Sequence, residues 1–248
     1  MLAIRVLLIA SLLGLWQAVG SIDEFIGKSL SNPVAVVQVL TGWLVTGPVY
    51  VYPDVVATLV GMLAGLGLGI LGAVLLLAIV ASSPLVARAC SWVIAGANAA
   101  PKVALIPLLI LWFGIGPISK IVFVASVVGF MIFYNLYSGL LGIAAKYYDN
   151  TRMLGASRFW QLRKVTIPAL IGWFAASLRA SAAYALLATV VVEYMGSDSG
   201  IGRQLASNHA SLRTDEVIAG VMLVGILAMI IDRVITIAER RLRPWLET

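Results

Sequence analysis

Residues 55–81 read VVATLVGMLAGLGLGILGAVLLLAIVA, a run without a single charge. A helix needs about 20 predominantly apolar residues to cross the hydrocarbon of a bilayer, so this stretch predicts a membrane span. Within it Gly61, Gly65, Gly69 and Ala73 recur every four residues and stack on one helix face. Small residues at that spacing let two helix backbones approach closely where lipid removes the hydrophobic drive, and Gly67 and Gly72 are expected to widen the groove. The face reads either as a sliding surface or as plain tight packing.

The rest of the chain agrees with that stretch. Of 248 residues, 61% are hydrophobic and 11% charged, with a mean hydropathy of +1.02. Soluble domains are about 45–50% apolar and about 25% charged, which excludes an ordinary cytosolic enzyme, a disordered chain and a disulfide scaffold. One cysteine, Cys90, and one histidine, His209, leave neither an internal disulfide nor a thiolate or imidazole metal set. The net charge of +6 belongs to cytoplasmic loops facing anionic lipid rather than to nucleic-acid binding.

Six apolar stretches qualify as spans, at 2–20, 55–81, 90–112, 118–143, 171–195 and 215–237. The intervals between them carry turn residues or charge, as at Asp23, Pro33, Pro48 and Asp54, and at Gly114, Gly116 and Pro117. No linker divides the chain, so residues 1–248 are expected to form a single all-α membrane domain. Arg5, the apolar run after it, Ala18 and Gly20 imitate a signal peptide, but bulky Val6 to Trp16 extend the run toward spanning length. An even span count puts both termini on one side. With them inside, most of the seventeen Lys and Arg residues are cytoplasmic, among them Arg88, Lys146, Arg152, Arg158, Arg163, Lys164, Arg233 and Arg240, as the positive-inside rule requires. Lys28, Lys120, Arg203, Arg213 and His209 fall outside.

Polar residues within spans are costly and mark function by default. Asn98, Lys102, Asn135, Arg179, Tyr184 and Glu193 are the candidates. Lys102, between Pro101 and Pro107, reads either as a pathway group or as a side chain snorkelling to an interface. Arg179 and Glu193 invite the same two readings, and either basic residue has a partner available in Glu193.

Between the fourth and fifth spans lies a polar interval, 145–168, reading AKYYDNTRMLGASRFWQLRKVTIP. Tyr148 to Leu154 predicts a short helix ended by Gly155, a favoured C-terminal cap. Ser157 can cap a second helix with Phe159, Trp160 and Leu162 apolar and Arg158, Arg163 and Lys164 basic, and Pro168 marks re-entry. Such a pair makes either a knob for another protein's groove or an amphipathic stretch lying on lipid.

This interval resembles the EAA loop of the permease subunits of ATP-binding-cassette importers. Asp149, Asn150 and Thr151 stand where the family has Glu-Ala-Ala, followed by Arg152, then Leu154, Gly155, Ala156 and Ser157, and by Ile167 and Pro168. Both alanines are replaced, a departure expected to weaken the local helix slightly. The resemblance covers most of 55–245 and points to the nitrate/sulfonate/taurine branch, through the segment from Pro101 to Gly116, Asn135 with Gly139, Leu178 with Arg179, Glu193, and Gly200-Ile201-Gly202.

The resemblance implies a type I, MetI-like permease fold of six transmembrane helices with both termini cytoplasmic, in a bacterial inner membrane. It also implies a second permease copy, a dimer of ATPase subunits that bind ATP and Mg²⁺, and an external substrate-binding protein. Asp149 to Ser157 would then sit in the ATPase groove and transmit its closure. The chain has no G-x-x-x-x-G-K-[ST] of its own; Gly114 to Lys120 has the wrong spacing. No cofactor or metal is expected on this chain, and it is not expected to be an enzyme. The solute implied is a small anion or a vitamin-like heterocycle. A secondary transporter or channel would predict inverted repeats and a midplane ion site, and an intramembrane hydrolase would need a nucleophile beside a base; neither pattern is legible.

Overall fold

The computed structural model describes residues 2–45, 48–143 and 145–242, and every regular element among them is helical. In chain order these are α1 (Leu2–Gly20), α2 (Glu24–Leu30), α3 (Pro33–Val45), α4 (Pro48–Ala81), α5 (Pro84–Ala99), a 3₁₀ turn (Lys102–Leu105), α6 (Ile106–Phe113), α7 (Pro117–Gly142), α8 (Ala145–Met153), α9 (Arg158–Gln161), a π turn (Leu162–Thr166), α10 (Ile167–Gly196), α11 (Ile201–Ala210) and α12 (Thr214–Leu242). Proline opens α3, α4, α5 and α7. Its missing N–H costs nothing at a first helical position and its fixed φ is already helical.

Among the described residues, four helical stretches are long and apolar enough to cross a membrane: Val51–Ala81, Pro117–Gly142, Arg158–Gly196 and Thr214–Ile237. Two shorter apolar helices are Ile4–Gly20 and Lys102–Phe113. Three expectations need correction. The 90–112 stretch is not one helix, because Pro101 forces Ala100 into an extended conformation, φ −62° and ψ 134°, as a residue before proline prefers. Lys102 therefore opens a 3₁₀ turn in a break between α5 and α6, rather than lying inside one continuous helix. The interval 23–54 is largely helical, since Pro33 and Pro48 start helices rather than interrupting them. His209 lies in the last turn of α11 rather than in a loop.

The chain divides into two compact units, Met1–Leu59 with Val190–Leu227, and Val60–Thr189 with Ala228–Thr248. In the first, Val51, Ile201, Leu205 and Leu223 form a buried cluster with Leu40, Trp43 and Val55 packed against it. There the indole of Trp16 also donates to the Leu30 carbonyl at 3.1 Å.

In the second unit the glycine face of α4 meets α7. A Cβ on Gly65 would lie 2.5 Å from Val124 Cβ, and one on Gly69 would lie 3.0 Å from the Ala125 carbonyl oxygen. Gly61 leaves room for the stem of Lys120, which is buried. This is the tight-packing reading, in which dispersion between close backbones holds the pair. Of the two glycines expected to widen that groove, Gly72 lines a recess with Gly69, Ala73 and Gly129, whereas a Cβ on Gly67 meets open space. Phe123, Val128, Ile132 and Phe133 complete the interior, while Leu71, Leu75 and Leu111 are among many large apolar side chains left exposed, as a lipid-facing surface requires.

Candidate functional site

The 145–168 interval folds as an exposed knob. Helix α8 ends in a Schellman motif: the Ala156 N–H donates to the Thr151 carbonyl at 3.0 Å and the Gly155 N–H to the Arg152 carbonyl at 2.9 Å. Gly155 has φ +77°, a left-handed conformation that glycine adopts without steric cost. The chain then turns, and the Ser157 hydroxyl accepts the Trp160 N–H at 3.3 Å, capping α9. Both caps stand where the sequence placed them.

What the sequence did not place is the brace behind the knob. Gln161, buried, donates its amide to the Thr151 hydroxyl at 2.9 Å and to the Tyr148 carbonyl at 3.2 Å, and the Tyr148 and Thr166 hydroxyls bond at 3.0 Å. Nor is α9 a free second helix. It runs through the π turn directly into α10, with the Ile167 N–H bonded to the Leu162 carbonyl, just ahead of Pro168, which has no N–H to give. The outer side of the knob presents Met153 and Leu154, 88% and 85% exposed, with Asp149, Asn150, Arg152 and Arg158 also exposed. Thr151, Leu154, Gly155, Ala156, Ser157 and Trp160 line a depression of about 450 Å³. An apolar tip on a rigid, charged base suits insertion into a complementary groove.

Three of the six polar span candidates come together. Lys102, Asn135 and Tyr184 line one cavity of about 420 Å³ with Tyr134, Met131 and Val127. The Lys102 Nζ lies 5.7 Å from the centre of the Phe130 ring, within cation–π range. The Tyr134 hydroxyl donates to the Ile94 carbonyl at 3.2 Å, tying α7 to α5 below the helix break. An ammonium, an amide and a phenol around one space can neutralise and hydrogen-bond an anion in transit. The side chain of Asn98 lies outside the described residues.

Arg179 and Glu193 serve elsewhere. The Arg179 guanidinium donates to the Thr236 hydroxyl at 2.9 Å and stands 3.8 Å from the Asp232 carboxylate, so α10 and α12 are bridged. Glu193 is buried in the first unit. It accepts the Thr58 hydroxyl at 2.8 Å and the Gly202 N–H at 3.1 Å, while Thr58 accepts the Ile201 N–H at 2.9 Å. Beside them Asp54 accepts from the Gly200 N–H at 2.6 Å, the Gln204 amide at 2.5 Å and Arg203 at 3.3 Å. Two carboxylates and a hydroxyl thus cap the N-terminus of α11, satisfying orphan N–H groups and facing the positive end of its dipole. Gly200, at φ +108°, leaves no room for a side chain against the Glu193 carboxylate, which gives the Gly200-Ile201-Gly202 sequence a physical reason.

The sequence reading missed Asp54, Thr58, Gln161 and Asp232. Asp54 and Thr58 stand four apart on one helix face, and Asp232 is an acid inside an apolar run; both were available signals.

The family described as "Binding-protein-dependent transport system inner membrane component" matches residues 65–244, which include the knob and the cavity. The chain is 28% identical over 241 residues to a putative aliphatic sulfonates transport permease protein of Bacillus subtilis, covering 96% of this chain and 86% of that one. It is 28% identical over 145 residues to the taurine transport system permease protein of Escherichia coli, covering 58% of this chain and 53% of that one. These likenesses agree with the sulfonate/taurine branch that the sequence resembles. Among solved structures, a chain of an amino acid ABC transporter crystallised with histidines superposes with a TM-score of 0.65 at 16% identity, covering 76% of this chain and 92% of that one. That likeness is one of fold.

Proposed function

The chain belongs to the binding-protein-dependent transport system inner membrane component family, and from that premise we propose that it is the membrane-spanning permease of an importer for a small anion, driven by a separate ATPase. The observation that carries this reading is the braced knob at 145–168, with its left-handed Gly155 and its exposed Met153 and Leu154. Asp149, Asn150, Thr151, Arg152, Leu154, Gly155, Ala156 and Ser157 form the surface that docks into an ATPase subunit, and ATP with Mg²⁺ acts through that partner. Closure of the ATPase pair pushes the knob, and a rigid knob passes displacement on where a floppy one absorbs it.

On this reading six segments cross a bacterial inner membrane in a MetI-like arrangement, with both termini cytoplasmic. A second copy of the permease completes the pathway and an external binding protein delivers the solute. Lys102, Asn135 and Tyr184 line part of the path, where one lysine favours anions of the sulfonate kind. Asp54, Thr58 and Glu193 hold α11 in place rather than touching solute.

The deciding experiment is to tag the chain, purify it in mild detergent from its native membrane and identify what accompanies it by mass spectrometry. Stoichiometric recovery of an ATPase with a Walker motif, photocrosslinked through position 157, is the expected result. A chain that emerges alone, and stays alone after crosslinking, would move a secondary transporter or channel to the front.

A further inference from the structure

One apolar recess of the second unit takes no part in docking or in the solute path. It is a groove of about 500 Å³ where the C-terminal end of α7 meets the start of α10 beside α8. Its walls are Ile143, Val165, Ala169 and Trp173, and Lys164 and Tyr147 line it as well. Trp173 is seated hard on α7: a Cβ on Gly139 would come within 2.6 Å of its indole, so the ring is a fixed wall. Yet Trp173 is 47% and Tyr147 54% exposed, and Lys164 and Arg163 are exposed too.

We infer that this groove binds an anionic phospholipid, with an acyl chain against Val165 and Trp173 and the phosphate against Lys164. Charge and chemistry name the occupant together. The walls are hydrocarbon and the rim is cationic and aromatic, the combination found where helices leave a bilayer, with tryptophan and tyrosine at the headgroup level. The cytoplasmic leaflet is the anionic one, and this end of α7 and α10 is cytoplasmic on the reading proposed above, on which this inference rests. A free phosphate would meet Lys164 but gain nothing from the apolar walls. Because the groove adjoins α8, lipid seated there supports the angle at which the knob leaves the membrane.

The test uses the full chain with whatever subunits co-purify, reconstituted in phosphatidylcholine vesicles carrying a trace of spin-labelled phosphatidylglycerol or spin-labelled phosphatidylcholine. Spin-label immobilisation should favour phosphatidylglycerol by about fivefold, the weight of one lysine at an anionic surface. Lys164→Gln should bring the two lipids close to parity. Gly142→Leu, placed where a Cβ meets open space, should obstruct the groove and lower immobilisation of both. Arg5→Gln, a charge removed from a distant part of the sequence, should leave the preference intact. Equal immobilisation of both lipids by the wild type, or an undiminished preference in Lys164→Gln, overturns the inference. So does a preference that disappears when a protein subunit is added, which would make the groove a protein site. If Gly142→Leu does not fold, the exposed Lys164→Gln variant carries the test by itself. Lipid association is read whether or not an ATPase is present, so failure here and failure of the importer reading remain separate results.

Discussion

The Gln161 amide donates to the Thr151 hydroxyl at 2.9 Å, joining α8 to α9 across the turn at Gly155. Thr151 stands where the family pattern has alanine, so the departure from that pattern is matched by a partner that uses it. Replacing Thr151 by alanine restores one of the motif's two alanines and should still destabilise the chain by about 1 kcal/mol, because a buried amide loses an acceptor. Gln161→Leu should cost a similar amount. The double variant should cost less than the sum, with a coupling of about 0.5–1.5 kcal/mol read from unfolding midpoints in detergent. Strict additivity would show that the bond braces nothing.

Gly155→Asp places a side chain at φ +77°, which costs roughly 1–2 kcal/mol for a non-glycine residue, and it adds a charge beside the exposed tip. The membrane-embedded part has no contact to lose, since a Cβ there meets open space. Elution as a single folded species with ATP-driven uptake abolished is the expected outcome; unimpaired uptake would remove the knob from the coupling path.

Thr58→Val is near-isosteric, yet it deletes both the donor to Glu193 and the acceptor for the Ile201 N–H. With Glu193 and Thr58 both buried, the loss should be about 1–3 kcal/mol in thermal unfolding. Thr41→Val, whose hydroxyl is exposed and bonded only to its own helix, serves as the control and should change little. Gly200→Ala should be worse than Thr58→Val, since it adds backbone strain to a collision with the Glu193 carboxylate.

Lys102→Met keeps the length of the side chain and removes its charge. Uptake of the solute carried by the cognate binding protein should fall roughly tenfold, the scale of one charge-assisted hydrogen bond, while assembly with the ATPase is kept. Lys102→Arg should recover most of it. A neutral solute would be indifferent to the first substitution, so the pair of variants also reports on solute charge.

Much of this was legible in one dimension. The apolar run 55–81, the glycine spacing, the left-handed Gly155 and the Ser157 cap all follow from local sequence, because each depends on neighbours within a turn or two. The long apolar helices follow from composition and length. The break at Ala100 was hidden by hydropathy, which counts Pro101 among apolar surroundings and is blind to its effect on the residue before it. Helices α2, α3 and α11 were hidden because their prolines, glycines and polar residues read as loop. The pairings of Glu193 with Thr58 and of Asp54 with Gly200 join residues more than a hundred positions apart. No local pattern encodes which buried carboxylate a distant helix end will choose. Arg179 is visible as a polar group in a span, but nothing local points from it to Asp232, a single acid in a long apolar run 53 residues away.

The π turn at Leu162–Thr166 changes what spacing means in the docking loop. An α-helix advances about 100° per residue, and a π turn holds one residue more than the α path would. The distance from Ser157 to Pro168 is therefore a setting of rotational phase. Deleting a single residue between Leu162 and Thr166 would let the segment rewind as plain α-helix. Phe159 and Trp160 would then keep nearly the same bearing around the axis of α10, whereas one residue deleted within α10 itself would turn them by about 100°, leaving the loop's recognisable letters in order and its face aimed the wrong way.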